Sequence, residues 1–398
     1  MKNCTLSRAV FSKVILASSI ALAASTQAAD ISINGFISVV AGKTISEGKQ
    51  RVDPTSAAQS SAGYTADGPT EGAYDDDISF KPDSVYGLQF RSGLGKGLAV
   101  TGQITGHGGE DYEANVSWAY ISYQLNDEWS LQAGRQRLPL FYYSDFLDVG
   151  YAYHWIRIPQ ELPAAFVDTF EGLKVSWTPS TDNWDWRIDL YGGSGSEEFT
   201  DPADFDVDFE DIAGAVVQVG NDWLQLRATY MTTEAEVSAP IFSRMGTVQG
   251  TSDNPIAFDF AGVAAHMTFD NVFVVAEYTM TSLDDPLGTD QLAGNDGSDV
   301  WYLSTGIRLG DFTPHITYTV SDETMSDEVV GLSSDADNSS ETWTLGVRWD
   351  FHANAALKAE YLTRSDESDS VLKDSVGGFG YGDSNEVDLM SVGVDVIF

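Results

Sequence analysis

The sequence predicts an all-β fold, a transmembrane antiparallel β-barrel of sixteen strands with short turns at one end and long loops at the other. Three observations carry that expectation. Apolar or aromatic residues alternate with small, polar or charged ones at a period of two. The connections between these segments alternate strictly between long and short. After the N-terminal leader, no run of apolar residues is long enough for a membrane-spanning helix.

The leader comes first. Lys2, Arg8 and Lys13 precede an apolar stretch from Val14 to about Ala24, and small residues follow around Thr26, Ala28 and Ala29. That arrangement predicts a signal peptide over 1–29, removed after Ala28 or Ala29, and a single barrel domain over 30–398. The only cysteine, Cys4, lies inside the leader, so the mature chain is expected to lack disulfides and thiolate metal sites. Sixty acidic residues against 21 basic ones give a formal charge of −39, which excludes a nucleic-acid partner because neutralising phosphates requires a basic face.

The strands are clearest in three places. In WDWRIDLY, Trp184, Trp186, Ile188 and Leu190 share one face, opposite Asp185, Arg187, Asp189 and Tyr191. In VWYLSTGIRLG, Trp301, Leu303, Ile307 and Leu309 oppose Tyr302, Ser304, Gly306 and Arg308. In TWTLGVRWD, Trp343, Leu345, Val347 and Trp349 oppose Thr342, Thr344, Gly346, Arg348 and Asp350. Alternation alone also suits a soluble sandwich, so the connections decide.

After a first strand at about Ile31 to Ala41, short connections are expected at Ser92–Lys96, Asn126–Glu128, Thr178–Asn183, Gly220–Asn221, Asp270–Asn271, Gly310–Asp311 and Phe351–Ala353. Between them lie long ones at Gly42–Asp83, Gly106–Ala114, Leu138–Asp168, Ser194–Asp208, Thr233–Pro255, Ser282–Ser298, Asp322–Ser339 and Ser365–Asn385. Seven short turns and eight long loops join sixteen strands. A membrane barrel has reason to keep all its long loops at one end, and a sandwich has none.

Tryptophan placement is an independent check. Nine of the ten fall in or beside predicted strands, and Trp129, Trp177, Trp184, Trp223 and Trp349 adjoin short turns, as one rim of an interfacial girdle would. Trp155 is the exception, inside the third long loop. The chain ends SVGVDVIF, and Ser391, Gly393, Val396 and Phe398 resemble the C-terminal signal read by the outer-membrane assembly machinery.

With leader, alternating connections and terminal Phe398 in place, the chain resembles the Gram-negative general-diffusion porins over essentially the whole mature chain. That resemblance implies an outer-membrane homotrimer among lipid and lipopolysaccharide, and passive diffusion of small hydrophilic solutes and ions. It also implies a third loop, here about 138–168, folded inward so that acidic loop residues face basic wall residues. The seven aromatics Phe141, Tyr142, Tyr143, Phe146, Tyr151, Tyr153 and Trp155 would be costly to expose together, which points to packing in the lumen, as a lid, or against a neighbouring subunit.

The charges that could form the constriction are Arg135, Arg137, Asp145, Asp148, Arg157 and Glu161 on or beside that loop. Wall candidates on the lumen-facing parity are Arg91, Lys174, Arg187, Arg227, Lys358 and Arg364. Strict alternation puts Arg135 and Arg137 on the face of Leu131 and Ala133 unless a bulge intervenes. Acidic outer loops and a basic wall pull ion preference in opposite directions, so it stays open. The alternatives are a substrate-selective channel using the loop aromatics, or a barrel enzyme or adhesin. No G-x-S-x-G elbow is present, and the Asp204, Asp206, Asp208 run lacks the Gly and closing Glu of a calcium loop, so no catalytic residue, metal or cofactor is expected.

Overall fold

A computed structural model describes residues 31–45, 64–65, 73–74, 76–159, 168–179, 181, 183–199, 205–243, 246–251, 255–284, 295–325, 338–368 and 385–398. Sixteen long strands run in chain order: β1 (Ile31–Thr44), β2 (Val85–Gly95), β3 (Leu98–His107), β4 (Asn115–Gln124), β5 (Trp129–Arg137), β6 (Thr169–Trp177), β7 (Asp185–Phe199) and β8 (Phe205–Gly220). They continue as β9 (Leu224–Ser243), β10 (Ile256–Phe269), β11 (Val272–Asp284), β12 (Asn295–Ile307), β13 (Phe312–Met325), β14 (Asn338–His352), β15 (Ala355–Ser368) and β16 (Asn385–Ile397). Each pairs antiparallel with its chain neighbours, and β1 closes the ring by pairing with both β2 and β16. Closure leaves no edge, so every strand's backbone groups have partners inside the wall, as hydrocarbon demands.

The seam is fastened at the C-terminus. The Gly35 N–H donates to the Phe398 carbonyl at 2.8 Å and the Phe398 N–H donates back at 2.9 Å. The Phe398 ring lies over Gly35, where a Cβ would collide with it. Phe36 covers Gly87 across the β1–β2 ladder in the same manner. A Gly87→Ala replacement is therefore expected to lower stability by about 1–3 kcal/mol through overpacking, read as an earlier urea midpoint for the refolded barrel.

Burial is inverted relative to a water-soluble sheet. Leu345 (59% exposed), Leu190 (57%) and Val392 (50%) face outward, whereas Ser304 (0%), Lys358 (1%) and Glu360 (4%) face the interior. All three sequence segments singled out above present their Trp and Leu side outward. A closed barrel with this apolar exterior is built for a lipid bilayer.

The alternation of connections holds throughout, but strands run on into five of the long ones, which are shorter than expected. β7 and β8 continue as a paired ribbon to Phe199 and from Phe205, in place of a loop over Ser194–Asp208. β9 continues to Ser243 and takes a short strand, Gly246–Thr251, along its extension. β13 continues to Met325 inside the expected Asp322–Ser339 connection, β11 to Asp284 inside Ser282–Ser298, and β15 to Ser368 inside Ser365–Asn385. Strand pairing needs backbone partners, not apolar faces, so a run such as GSGSEE on β7 extends the hairpin with no period-two apolar signal, while Val207 and Phe209 opposite it alternate with acids and turn inward. The shift at Glu210/Ala213, with Asp211 at φ 53, marks a bulge in that ribbon.

Candidate functional site: the lumen and the third long connection

The connection after β5 leaves the wall at Leu138, makes two 3-10 turns at Ser144–Phe146 and Gly150–Ala152, and is described as far as residue 159. Its apolar side chains pack inside the barrel. Leu138 and Leu140 join Phe170, Tyr191, Phe209, Val216 and Phe260 from the wall. Tyr143, Tyr153 and Trp155 join Phe273, Val275, Val300 and Tyr302. The Trp155 ring meets Tyr143 edge-on at 5.3 Å and Tyr302 at 5.8 Å, and its indole N–H donates to Thr317 Oγ1 at 2.8 Å.

The backbone of this segment is held by charged wall residues. Lys358 Nζ donates to the Gly150 carbonyl at 2.6 Å, to the Trp155 carbonyl, and to Asp395 at 2.8 Å. Arg348 Nη1 donates to the carbonyls of Tyr151 and Tyr153, both at 2.7 Å. On the donor side, the Tyr142 N–H reaches Glu277 Oε1 and the Ile156 N–H reaches Glu360 Oε1, both at 2.7 Å. Arg227 Nη2 donates to the Pro139 carbonyl. Cations on carbonyls and carboxylates on amides satisfy loop groups that would otherwise lie unpaired in a dry contact. At Gly150 the backbone sits so close to Asp395 and Ser38 that a Cβ would collide with both.

The named charges divide into groups. Arg137 donates to Asp148 at 2.8 Å, lies 3.4 Å from Asp168, and stacks over Trp118 at 5.5 Å, so its side chain is inside the barrel. Asp148 also meets His107 at 3.2 Å. Arg157 sits on the other side of the segment, bonded to Asp83 and to Ser391 Oγ at 2.8 Å, with its guanidinium over Tyr74. Asp145 is exposed and within electrostatic range of Lys174, Arg187 and Arg227. Arg187 bonds Asp189 at 2.8 Å, and Arg187, Gln218 and Arg227 stand in register on β7, β8 and β9.

Arg135 stands apart: it pairs with Glu171 at 3.7 Å, on the strand parity of outward-facing Leu173. The Gly134 φ of 131 distorts β5 just before Arg135. Glu161 lies outside the described residues. Arg91 is exposed on the inward parity of β2, and Arg364 is half-buried on that of β15. Of the C-terminal positions, Ser391 faces inward to Arg157, Gly393 shares its parity, and Val396 and Phe398 face outward.

Sequence reasoning missed Arg348, Glu277, Glu360 and Asp395 as holders of the loop. A signal existed: single acids inside otherwise apolar strands, as in VVAEYT and LKAEYL, mark an inward position that must find a donor.

Asp148 supports a pH prediction. Burial alone would raise its pKa, but Arg137 and then His107 outweigh burial and hold the carboxyl well below the usual carboxylate range. A depressed acid stabilises the fold above its unfolded pKa of about 4 and loses that contribution as pH falls toward the native value. Thermal midpoints of the wild type should drop between about pH 5 and pH 2. The Asp148→Asn variant should show a smaller drop over the same window. His154 is held well below the usual imidazole range by burial and by His315 and Lys358, so it stays neutral against Ser304 Oγ at 2.9 Å.

No protein-family model and no curated protein matches the sequence. The fold does match solved structures. OmpT of Vibrio cholerae in its trimer form superposes with a TM-score of 0.57 at 13% identity, covering 94% of this chain and 100% of that one. The outer membrane channel DcaP of Acinetobacter baumannii gives 0.57 at 11%, covering 93% and 97%. An anion-selective porin from Comamonas acidovorans gives 0.56 at 14%, covering 93% and 100%. Closed ring, inverted burial and near-complete coverage agree: this chain has the sixteen-stranded antiparallel barrel fold of the outer-membrane porins.

Proposed function

We propose that this chain is a passive channel for small hydrophilic solutes and ions, working as a homotrimer, with its lumen narrowed by the connection after β5. The observation that carries the reading is the fastening of that connection to the inner wall by Lys358, Arg348, Glu277 and Glu360. A segment pinned at both donors and acceptors narrows a lumen permanently, whereas a lid would need a weaker hold. In this reading the remaining aperture runs beside the exposed Asp145 and Arg187, with the buried Lys174 and Arg227 set behind them in the wall, so that a transverse field crosses a polar passage.

The aromatic residues favour diffusion over a sliding surface for one substrate. Tyr143, Tyr153 and Trp155 are buried in packing and not lined up along the passage. Lipid, lipopolysaccharide and the outer-membrane assembly machinery belong to the same reading as partners, and cleavage of the leader precedes insertion. Catalysis plays no part in it. Planar-bilayer recording tests the proposal: stepwise, linear conductance without solute-specific block is expected. A folded barrel that conducts nothing, or one blocked saturably by a single solute class, would overturn it.

A further inference from the structure

The formal charge of −39 sets one expectation for the sign of the ions the chain passes, and its inner wall sets the other. Of the described acids inside the barrel, Asp148 is bonded to Arg137, Asp83 to Arg157 and Asp395 to Lys358. Glu277 and Glu360 accept from the Tyr142 and Ile156 N–H groups of the third connection. Asp189 and Asp350 each bond an arginine of their own strand, Arg187 and Arg348. A carboxylate held this closely against a donor projects little field into the passage. Asp145 is the exposed acid of the third connection as far as it is described.

The cations are not all used in this way. Arg91, near the Gly95 end of β2, stands in register with Ser32 and with Thr101, which is buried on the inner face. Phe90 beside it faces outward, so the exposed Arg91 side chain faces the lumen. Arg308 follows the Ile307 end of β12, is exposed, and lies over the inward Phe273 ring at 5.4 Å. Neither guanidinium forms a salt bridge with a carboxylate among the described residues. Arg187, near the Asp185 start of β7, keeps 40% of its side chain exposed beside Asp189. All three arginines stand at the short-turn end of the lumen. The acids at that end lie on the turns, as Asp222, Asp270 and Asp311 do, or at the lip, as Asp185 does. A guanidinium is permanently charged and its fork matches carboxylate and phosphate oxygens.

We infer that the passage prefers anions despite the acidic chain, and that Arg91 and Arg308 set this preference at the short-turn mouth, apart from the narrowing itself. The solutes favoured are small anions: chloride, carboxylates and phosphate esters. In water a unit charge about 7 Å from a passing ion changes that ion's local population by about threefold, and salt screens the effect over about 10 Å at 0.1 M. The acids on the long connections lie farther from the path than that, whereas the two arginines line it. The inference rests on the proposed passive channel and names the class of solute it favours.

Reversal potentials of the full barrel in a potassium chloride gradient at low ionic strength decide it. The wild type should pass chloride over potassium, and the Arg91→Gln, Arg308→Gln double variant should lose at least about half of that permeability ratio. Raising the salt on both sides should shrink the wild-type preference. Arg91→Lys keeps the charge and should keep the ratio. Lys81→Gln is the control: it removes one positive charge at the other end of the barrel, where Lys81 pairs with Asp111, and should leave the ratio unchanged. Circular dichroism of each variant keeps loss of the fold apart from loss of selectivity, and the sign of the wild-type potential needs no variant at all. Potassium preference in the wild type, a folded double variant with the wild-type ratio, or an equal shift from Lys81→Gln overturns the inference. A barrel that conducts without preferring anions sinks this inference alone, whereas one that conducts nothing sinks the channel reading with it.

Discussion

Replacing Lys358 with Met is expected to release the turn at Gly150–Ala152 and destabilise the barrel by about 3–5 kcal/mol. Lys358 is almost wholly buried, and its ammonium is shared among the Gly150 carbonyl, the Trp155 carbonyl and Asp395. Removing it leaves the buried Asp395 carboxylate without its cation and two loop carbonyls without their donor, and an orphaned buried charge costs more than the pair contributes. The effect should appear as an earlier urea midpoint and as current noise absent from the wild type. An Asp395→Asn, Lys358→Met double replacement should recover part of the loss, since it removes the stranded charge. Unchanged stability and quiet current in the single variant would show that the loop is held by other means.

Trp155→Ala should have a comparable effect by a different route. The side chain is 1% exposed and sits between Tyr143, Tyr153, His154 and Tyr302, with its N–H on Thr317. Truncation leaves a cavity and removes that hydrogen bond, a cost of about 3–5 kcal/mol for a buried Trp. Because the ring wedges the segment against β11–β13, its loss should also widen the passage, raising single-channel conductance. Trp343→Ala is the control: that ring faces outward, so conductance should stay at the wild-type value.

The barrel was legible in the sequence because membrane strands must alternate and must be joined at two unlike ends. The Trp343, Leu345, Val347, Trp349 series and the short turn at Asp270–Asn271 each state one of those requirements locally. The ribbon over β7 and β8 was not legible, because the GSGSEE stretch of β7 carries no apolar alternation and the short Val207, Phe209, Ile212 series opposite it is set among acids that read as a loop. Nor were the loop's fastenings. Lys358 and Gly150 are 208 residues apart in sequence, and only closure of the ring brings β15 against the third connection. Lys358 itself could be named as an inward base, but its acceptors are backbone carbonyls, which carry no residue identity. Arg135 shows the limit of parity reasoning: it and Arg137 are two residues apart in the same strand, yet one pairs with Glu171 and the other is buried against Trp118.

Liposome swelling with a graded series of uncharged sugars tests the central claim most directly, since it reads the width of the passage without reference to ion preference. Wild-type barrels should admit the smallest sugars and exclude the larger ones, and Trp155→Ala should move the cut-off to larger sugars. No uptake of any sugar by wild-type barrels, or the same cut-off in both proteins, would contradict a lumen that the third connection narrows but leaves open.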